Sequence, residues 1–252
     1  MITAITTTKR PEQFERLVQD IVKINNVNEV IAFVAEKDDI HKQFSDIKNR
    51  INANYSKDFF KLIKAPFNFL FQSGFDTAYN ILAKKAKNDT ILTFTDSDYV
   101  EEINNELFES EIKDIKCGLV EIYMERGNAL EKKALIYNRN SCHWYGVVHE
   151  NLISPGAIKL TEITSLKLKH LNARDEYSKN LKKNEEGFII LEKLNPGSDS
   201  YNRNVIYEYH TYMIVNNNSR QMNRDWFLKH YEINKDAVDY YYNEALKYLS
   251  NK

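Results

Sequence analysis

Cysteine is scarce, with only Cys117 and Cys142 among 252 residues. Two thiols are too few for a disulfide framework, and their separation matches no zinc-finger spacing. A long apolar run is lacking as well. No window of about 18 residues reads as a membrane span, and the apolar part of the opening "MITAITTTKRPEQ" is too short for a secretory leader. Net charge is close to absent, -1 from 35 Lys+Arg against 36 Asp+Glu. That removes any global attraction for nucleic acid or an anionic membrane and leaves room only for a local basic patch. No long-range repeat is evident. The expectation is a soluble cytoplasmic protein. Its Asn-, Lys- and Ile-rich composition suggests an AT-rich genome, hence a bacterial cytosol or that of a phage-infected host.

What is present is a balanced globular composition, 42% hydrophobic and 28% charged, with 16 Tyr and 13 Phe as large packing groups. The length suits one α/β unit with an appendage. "ITAIT" (2–6) reads as a short strand. Pro11 opens a helix whose face is Phe14, Leu17, Val18, Ile21 and Val22. "NEVIAFVA" (28–35) reads as a buried parallel strand, and a second helix is expected over 39–51. Residues 55–72 carry aromatics too irregularly for a period. Helix returns over 74–87, then strand over "DTILTFT" (89–95). This order indicates an open, mostly parallel sheet. A helix is expected at about 100–113, then a hairpin of "IKCGLVEIYME" and "ALEKKALIYNR", then strands in "HWYGVVHENLI" and "IKLTEITSLKLKHL". From Arg174 onward the chain reads as helical. The expected division is an α/β domain over 1–172 and a helical segment over 173–252.

The chemistry concentrates in "ILTFTDSDYV" (91–100). Asp96 and Asp98 follow an apolar strand at the edge where open α/β sheets bind ligands. Such carboxylates can hold Mg²⁺ or Mn²⁺ against substrate phosphates. Either could instead cap a helix. The pair together favours a metal. An EF-hand is excluded, because Val100 and Glu101 stand where its glycine belongs. A haloacid-dehalogenase-type phosphatase fits "TFTDSDYV", with Asp96 as nucleophile and Asp98 as acid/base. That family opens its domain with this strand, whereas here about ninety residues precede it and the Asp38–Asp39 pair lies upstream. A nucleotide-sugar transferase carries such a motif mid-chain. Further on, "WYGVVHENL" (144–152) supplies His149 and Glu150, and His170 ends "LKLKH". Alone, each of these reads as an ordinary polar strand end.

In combination these segments resemble the GT-A-fold glycosyltransferases of the family 2 type, in the branch with a helical, tetratricopeptide-like C-terminus. "ITAITTTKRPE" is similar to that family's first strand and donor loop, and "IAFVAEKDD" to its acidic nucleotide-contacting turn. "GFDTAYNILAKKAKNDTILTFTDSD" resembles its donor helix and Asp-x-Asp strand. "WYGVVHENL" resembles its Gly-x-Val-His-Glu segment, "LKLKHL" its later histidine, and "KNLKKNEEGFIILEKLNPGSDSYN" the opening of its tail. Tyr99 replaces the family's acidic fourth motif position, and Tyr79 the arginine before Asn80.

The resemblance implies a Rossmann-like GT-A domain. It also implies metal-dependent, inverting transfer of a glucose-like hexose from a nucleoside-diphosphate sugar, UDP-linked, to a hydroxyl of a saccharide, a protein or a sugar-modified DNA base. Thr6, Thr7, Thr8, Arg10, Glu36, Gly74, Asn80 and Asp96 would contact the donor. Asp98, with Asp96 and His170, would hold Mn²⁺ or Mg²⁺. Glu150 would be the general base with His149 behind it, and Trp144 and Tyr145 would stack on the acceptor. The phosphatase and a non-catalytic transferase-like binding module stand as alternatives.

Overall fold

The computed structural model describes residues 1–66, 69–73, 75–124, 129–145 and 151–171. All of them fall in one compact unit, Met1–Tyr145 with Asn151–Ala173. The expected helical segment, 173–252, lies outside the described residues. In chain order the elements are β1 (Ile2–Thr7), α1 (Pro11–Ile21), β2 (Val27–Ala35), α2 (Asp38–Asn54), β3 (Phe60–Ala65), α3 (Phe69–Ser73), α4 (Phe75–Lys85) and β4 (Thr90–Thr95). They continue as β5 (Asp98–Ile103), α5 (Asn105–Glu111), β6 (Cys117–Met124), β7 (Ala129–Asn138), β8 (His143–Tyr145), β9 (Asn151–Ile153) and β10 (Leu160–His170).

Eight strands form one sheet in the order β3-β2-β1-β4-β7-β6-β10-β5, and β8 pairs with β9 separately. The run β3-β2-β1-β4 is parallel throughout. Beyond it β7 lies antiparallel to β4 and β6, β6 and β10 are parallel, and β5 runs antiparallel to β10. The expected α/β architecture, a mostly parallel Rossmann-like sheet with helices on both faces, is what the chain adopts.

The strand sequences explain two cores. Successive residues of a strand point to opposite faces. In β2, Val30, Ala32 and Val34 enter one cluster with Phe14, Leu17, Val18, Phe44 and Phe108 of the helices α1, α2 and α5. Ile31, Phe33 and Ala35 enter the other, with Ala78, Tyr79 and Leu82 of α4. A strand covered on both faces is mostly apolar, which is why "VIAFVA" (30–35) reads as a continuous run. Helix α1 starts with Pro11, whose missing N–H is one the first turn leaves unpaired anyway. Its Phe14 ring meets Phe44 at 5.5 Å and Phe60 at 4.9 Å, locking α1 to α2 and β3.

Three expectations change. The helix expected at about 100–113 is a strand, β5, followed by the short α5, whose cap is Asn104 accepting from Leu107 N at 3.2 Å. Pairing with β10 outweighs the helix preference of the glutamates in "DYVEEI". Val100 and Leu168 are register partners in the core, and Lys167 bonds Glu102 across the ladder at 2.7 Å. The irregular 55–72 stretch contains the edge strand β3 and α3. "HWYGVVHENLI" is two short paired strands, β8 and β9, rather than one. No helix among the described residues is long and apolar enough to cross a membrane.

Two carboxylates, one fully buried and one half-buried, tie the sheet together. Glu29 is fully buried and accepts from Thr3 Oγ1 at 2.7 Å, Lys87 N at 2.8 Å and Lys61 Nζ at 2.5 Å. Glu111 accepts from Thr164 N and Oγ1 at 3.0 and 2.6 Å, and from Ser165 N and Oγ, at the register shift of β10. Burial pushes both pKa values up, but the hydrogen bonds outweigh it and hold both below the ordinary 4.5. The unfolded chain therefore takes up these protons at higher pH than the folded one. The stabilisation is present above pH 4.5 and is lost as acid titrates the folded groups. The thermal midpoint is expected to fall on acidification below about pH 4.5, with a shallower acid slope in Glu29→Gln and Glu111→Gln, followed by circular dichroism. Unchanged slopes in both variants would remove these carboxylates from the acid response.

Candidate active site

The chain reverses its direction of travel across the sheet at β1. It runs outward to β2 and β3 on one side, then returns to place β4 on the other. The carboxyl ends of β1 and β4 thus form a switch point, where loops diverge and leave a crevice. Thr7 lies between Phe33 and Thr95 in register. The loop after Thr7 and the Asp96–Ser97 turn after β4 therefore meet at this edge. Glu36, one residue past β2, is half-buried on the same edge.

The turn breaks the pleat between the two aspartates, and Asp96, Ser97 and Asp98 are all buried. Their surroundings differ. Asp96 Oδ2 accepts from Thr8 Oγ1 at 2.8 Å and from Arg10 Nε at 3.1 Å, while Arg10 Nη2 donates to Asp96 Oδ1 and, at 2.6 Å, to Ser97 Oγ. This is a two-pronged guanidinium–carboxylate pair, the strongest form of such contact. Arg10 is the residue preceding α1 and makes no side-chain cap bond to that helix. Its guanidinium goes to the site instead.

Asp98 faces β10. Its Oδ2 accepts from Thr95 N at 2.7 Å, and its Oδ1 lies 2.7 Å from His170 Nδ1. Asp98 and His170 are register partners across the β5–β10 ladder, and Leu171 N bonds Ser97 O at 3.0 Å. The pairing of β5 with β10 brings together two residues that the sequence separates by 72 positions.

This geometry tests the expected metal. A carboxylate oxygen and an imidazole nitrogen 2.7 Å apart suit neighbouring positions on one Mg²⁺ or Mn²⁺, whose ligands at about 2.1 Å lie roughly 3 Å from each other. Asp98 and His170 fit. Asp96 does not join them, since both of its oxygens serve Arg10. Among the described residues no group of three or more His, Cys, Asp or Glu is placed to hold a metal. A cation here would complete its shell with water and substrate phosphate, as Mg²⁺ commonly does.

Two expected ligand-contacting residues have other work. Asn80 Nδ2 donates to Trp144 O at 2.8 Å, and its Oδ1 accepts from Trp144 N at 2.9 Å. Its amide thus fastens β8 to α4 rather than facing a donor. Trp144 is buried, packed on Tyr79 at 5.1 Å and edge-on to Tyr137 at 6.1 Å, with Nε1 donating to Tyr137 Oη at 3.1 Å. Its faces belong to the core, not to an acceptor. Tyr145 ends β8 and is half-buried. Thr6 is buried, and Thr7 Oγ1 lies 3.4 Å from Tyr79 Oη. Gly74, His149 and Glu150 lie outside the described residues.

The sequence reading missed Ser97 and Tyr79. Ser97 stands between the two aspartates, and its hydroxyl is a third acceptor for Arg10. Tyr79 was legible only as the residue replacing an arginine. Its hydroxyl reaches Thr7 while its ring supports Trp144. The thiols offer no nucleophile: both are buried, and burial pushes Cys117 up to about 12 and raises Cys142.

The mostly parallel open sheet with helices on both faces has the GT-A fold. Among solved structures, residues 1–349 of S. aureus TarS superpose with a TM-score of 0.51 at 11% identity, covering 95% of this chain and 82% of that one. The same fragment in complex with UDP gives 0.53 at 11% identity with the same coverage. A longer S. aureus TarS gives 0.52 at 12% identity, covering 95% of this chain and 50% of that one. At these identities what is shared is the fold. No family model matches the chain, and no curated protein matches it in sequence.

Proposed function

We propose that this chain is a glycosyltransferase that moves a hexose, glucose-like, from a UDP-linked sugar to an acceptor hydroxyl with inversion. The observation that carries the reading is the convergence of Thr8, Arg10, Asp96, Asp98 and His170 on the switch point, where a carboxylate–imidazole pair lies beside an arginine. The UDP complex of the S. aureus structure supports the same donor chemistry for this fold.

Asp98 and His170 would hold Mn²⁺ or Mg²⁺, which supplies charge neutralisation to the departing diphosphate. Arg10 would bring a permanent positive charge to the departing diphosphate at the same edge. Thr7, Thr8 and Glu36 line the donor side. Glu150, with His149, keeps the base role: a carboxylate opposite the leaving group takes the acceptor proton as the hydroxyl attacks. The acceptor class stays as broad as the sequence leaves it: saccharide, protein side chain or sugar-modified DNA base.

The phosphatase alternative requires Asp96 to attack phosphorus, and that carboxylate is held by Arg10 and Thr8. The deciding experiment is a thermal-shift screen of nucleotide sugars with and without Mn²⁺, followed by assay for sugar release. The expected result is stabilisation by UDP-glucose or a close relative that grows when Mn²⁺ or Mg²⁺ is added. Cleavage of a phosphomonoester with no need for nucleotide would favour the phosphatase. No nucleotide binding at all would favour a binding module.

A further inference from the structure

The two aspartates of the turn are not equivalent, and the difference has a consequence for the order in which ligands bind. Asp96 is buried and saturated by a guanidinium and a hydroxyl. Asp98 is buried and pairs with an imidazole. A divalent cation approaching Asp98 and His170 therefore meets Arg10 nearby as a like charge, its countercharge already used on Asp96. A nucleoside diphosphate approaching the same edge offers Arg10 a second anion with the same two-pronged geometry as a carboxylate.

We propose that Arg10 is the residue that links cation to nucleotide: it withholds Asp96 while the site is empty and exchanges that carboxylate for the donor's diphosphate. Asp96 is then a positioning residue for Arg10 in the empty site and an added negative charge for the cation in the filled one. The linkage is reciprocal, so each ligand strengthens the other by the same factor. This inference rests on the glycosyltransferase reading for the identity of the anion, but its core, the competition of Arg10 and a cation for Asp96, does not.

Two titrations test it. Mn²⁺ alone is titrated into wild type, Arg10→Met and Arg10→Lys, read by electron paramagnetic resonance of the free ion. Arg10→Met is expected to bind Mn²⁺ about 10-fold more tightly than wild type, because a charge leaves and a carboxylate is released. Arg10→Lys, which keeps the charge but loses the fork, falls between them. UDP without metal is titrated calorimetrically into wild type and Asp96→Asn. The asparagine variant is expected to bind UDP about 5-fold more tightly, since Arg10 no longer has to leave a carboxylate. A purely structural salt bridge predicts unchanged or weaker binding in both variants. The proposal is overturned if Arg10→Met, folded by circular dichroism, binds Mn²⁺ no more tightly than wild type. It is equally overturned if Asp96→Asn gains nothing for UDP. Should Arg10→Met not fold, Arg10→Lys and Asp96→Asn decide the matter. Wild type that binds no UDP even with Mn²⁺ present would sink the glycosyltransferase reading instead, and the Mn²⁺-only arm would still judge Arg10.

Discussion

Asp98→Asn is expected to lower metal-dependent sugar transfer by about 10²–10³-fold while leaving the thermal midpoint near that of wild type. Asparagine has the same shape, and its oxygen still accepts the 2.7 Å bond from Thr95 N that shapes the turn. What it lacks is the negative charge that an ion and His170 require on the other oxygen. The lost stabilisation of the leaving diphosphate corresponds to about 3–4 kcal/mol. The measurement is initial rate against Mn²⁺ concentration at saturating UDP-sugar. A rate within two-fold of wild type would take Asp98 out of the mechanism. A rate restored simply by more Mn²⁺ would assign it to metal affinity alone.

Trp144→Ala is expected to cost about 3–5 kcal/mol of folding stability, the range for removing a buried large aromatic. The side chain fills space between Tyr79 and Tyr137, and deleting it also strips Tyr137 Oη of the Nε1 donor at 3.1 Å. Tyr137 is itself fully buried, and burial pushes its hydroxyl pKa well up, so it stays neutral and depends on hydrogen-bonding partners. Urea denaturation gives the answer directly. An acceptor-stacking tryptophan would leave the urea midpoint in place and raise KM for acceptor, and that outcome would return Trp144 to the ligand-binding surface.

The contrast between Asp98 and Trp144 indicates what can be read from the chain before its fold is known. β1, β2 and β4 were legible because they are almost wholly apolar or β-branched, as strands covered on both faces tend to be, and α1 because one face repeats. β5 was not, since Glu101 and Glu102 are exposed and only Val100 and Ile103 mark its apolar contact with the core; its partner lies in β10, far along the chain. Asp96 and Asp98 followed from the end of their strand, and Thr8 and Arg10 from the family resemblance of the opening segment; parallel strands deliver both carboxyl ends to one edge. Chemistry of side chains was a poorer guide to exposure. A tryptophan and an asparagine suit a sugar as well as they suit a core, and only the α4–β8 packing distinguishes the two uses. The Arg10–Asp96 pair could not be inferred from spacing, since 86 residues separate them.

The two-residue turn at Asp96–Ser97 also governs when the site comes into being. Before it, β4 completes a parallel run built from residues 2–95 that can pair as soon as β4 exists. After it, β5 pairs among the described strands with β10 alone, so Asp98 acquires His170 only once Leu160–His170 has been made and has closed a loop of some seventy residues. Closures of that length slow folding, because the chain loses entropy before the distant contacts repay it. A ribosome-bound chain released before residue 170 would thus carry the Arg10–Asp96 half of the site without the His170 half. The proposed cation hold of Asp98 and His170 would then emerge late, only after His170 has been made.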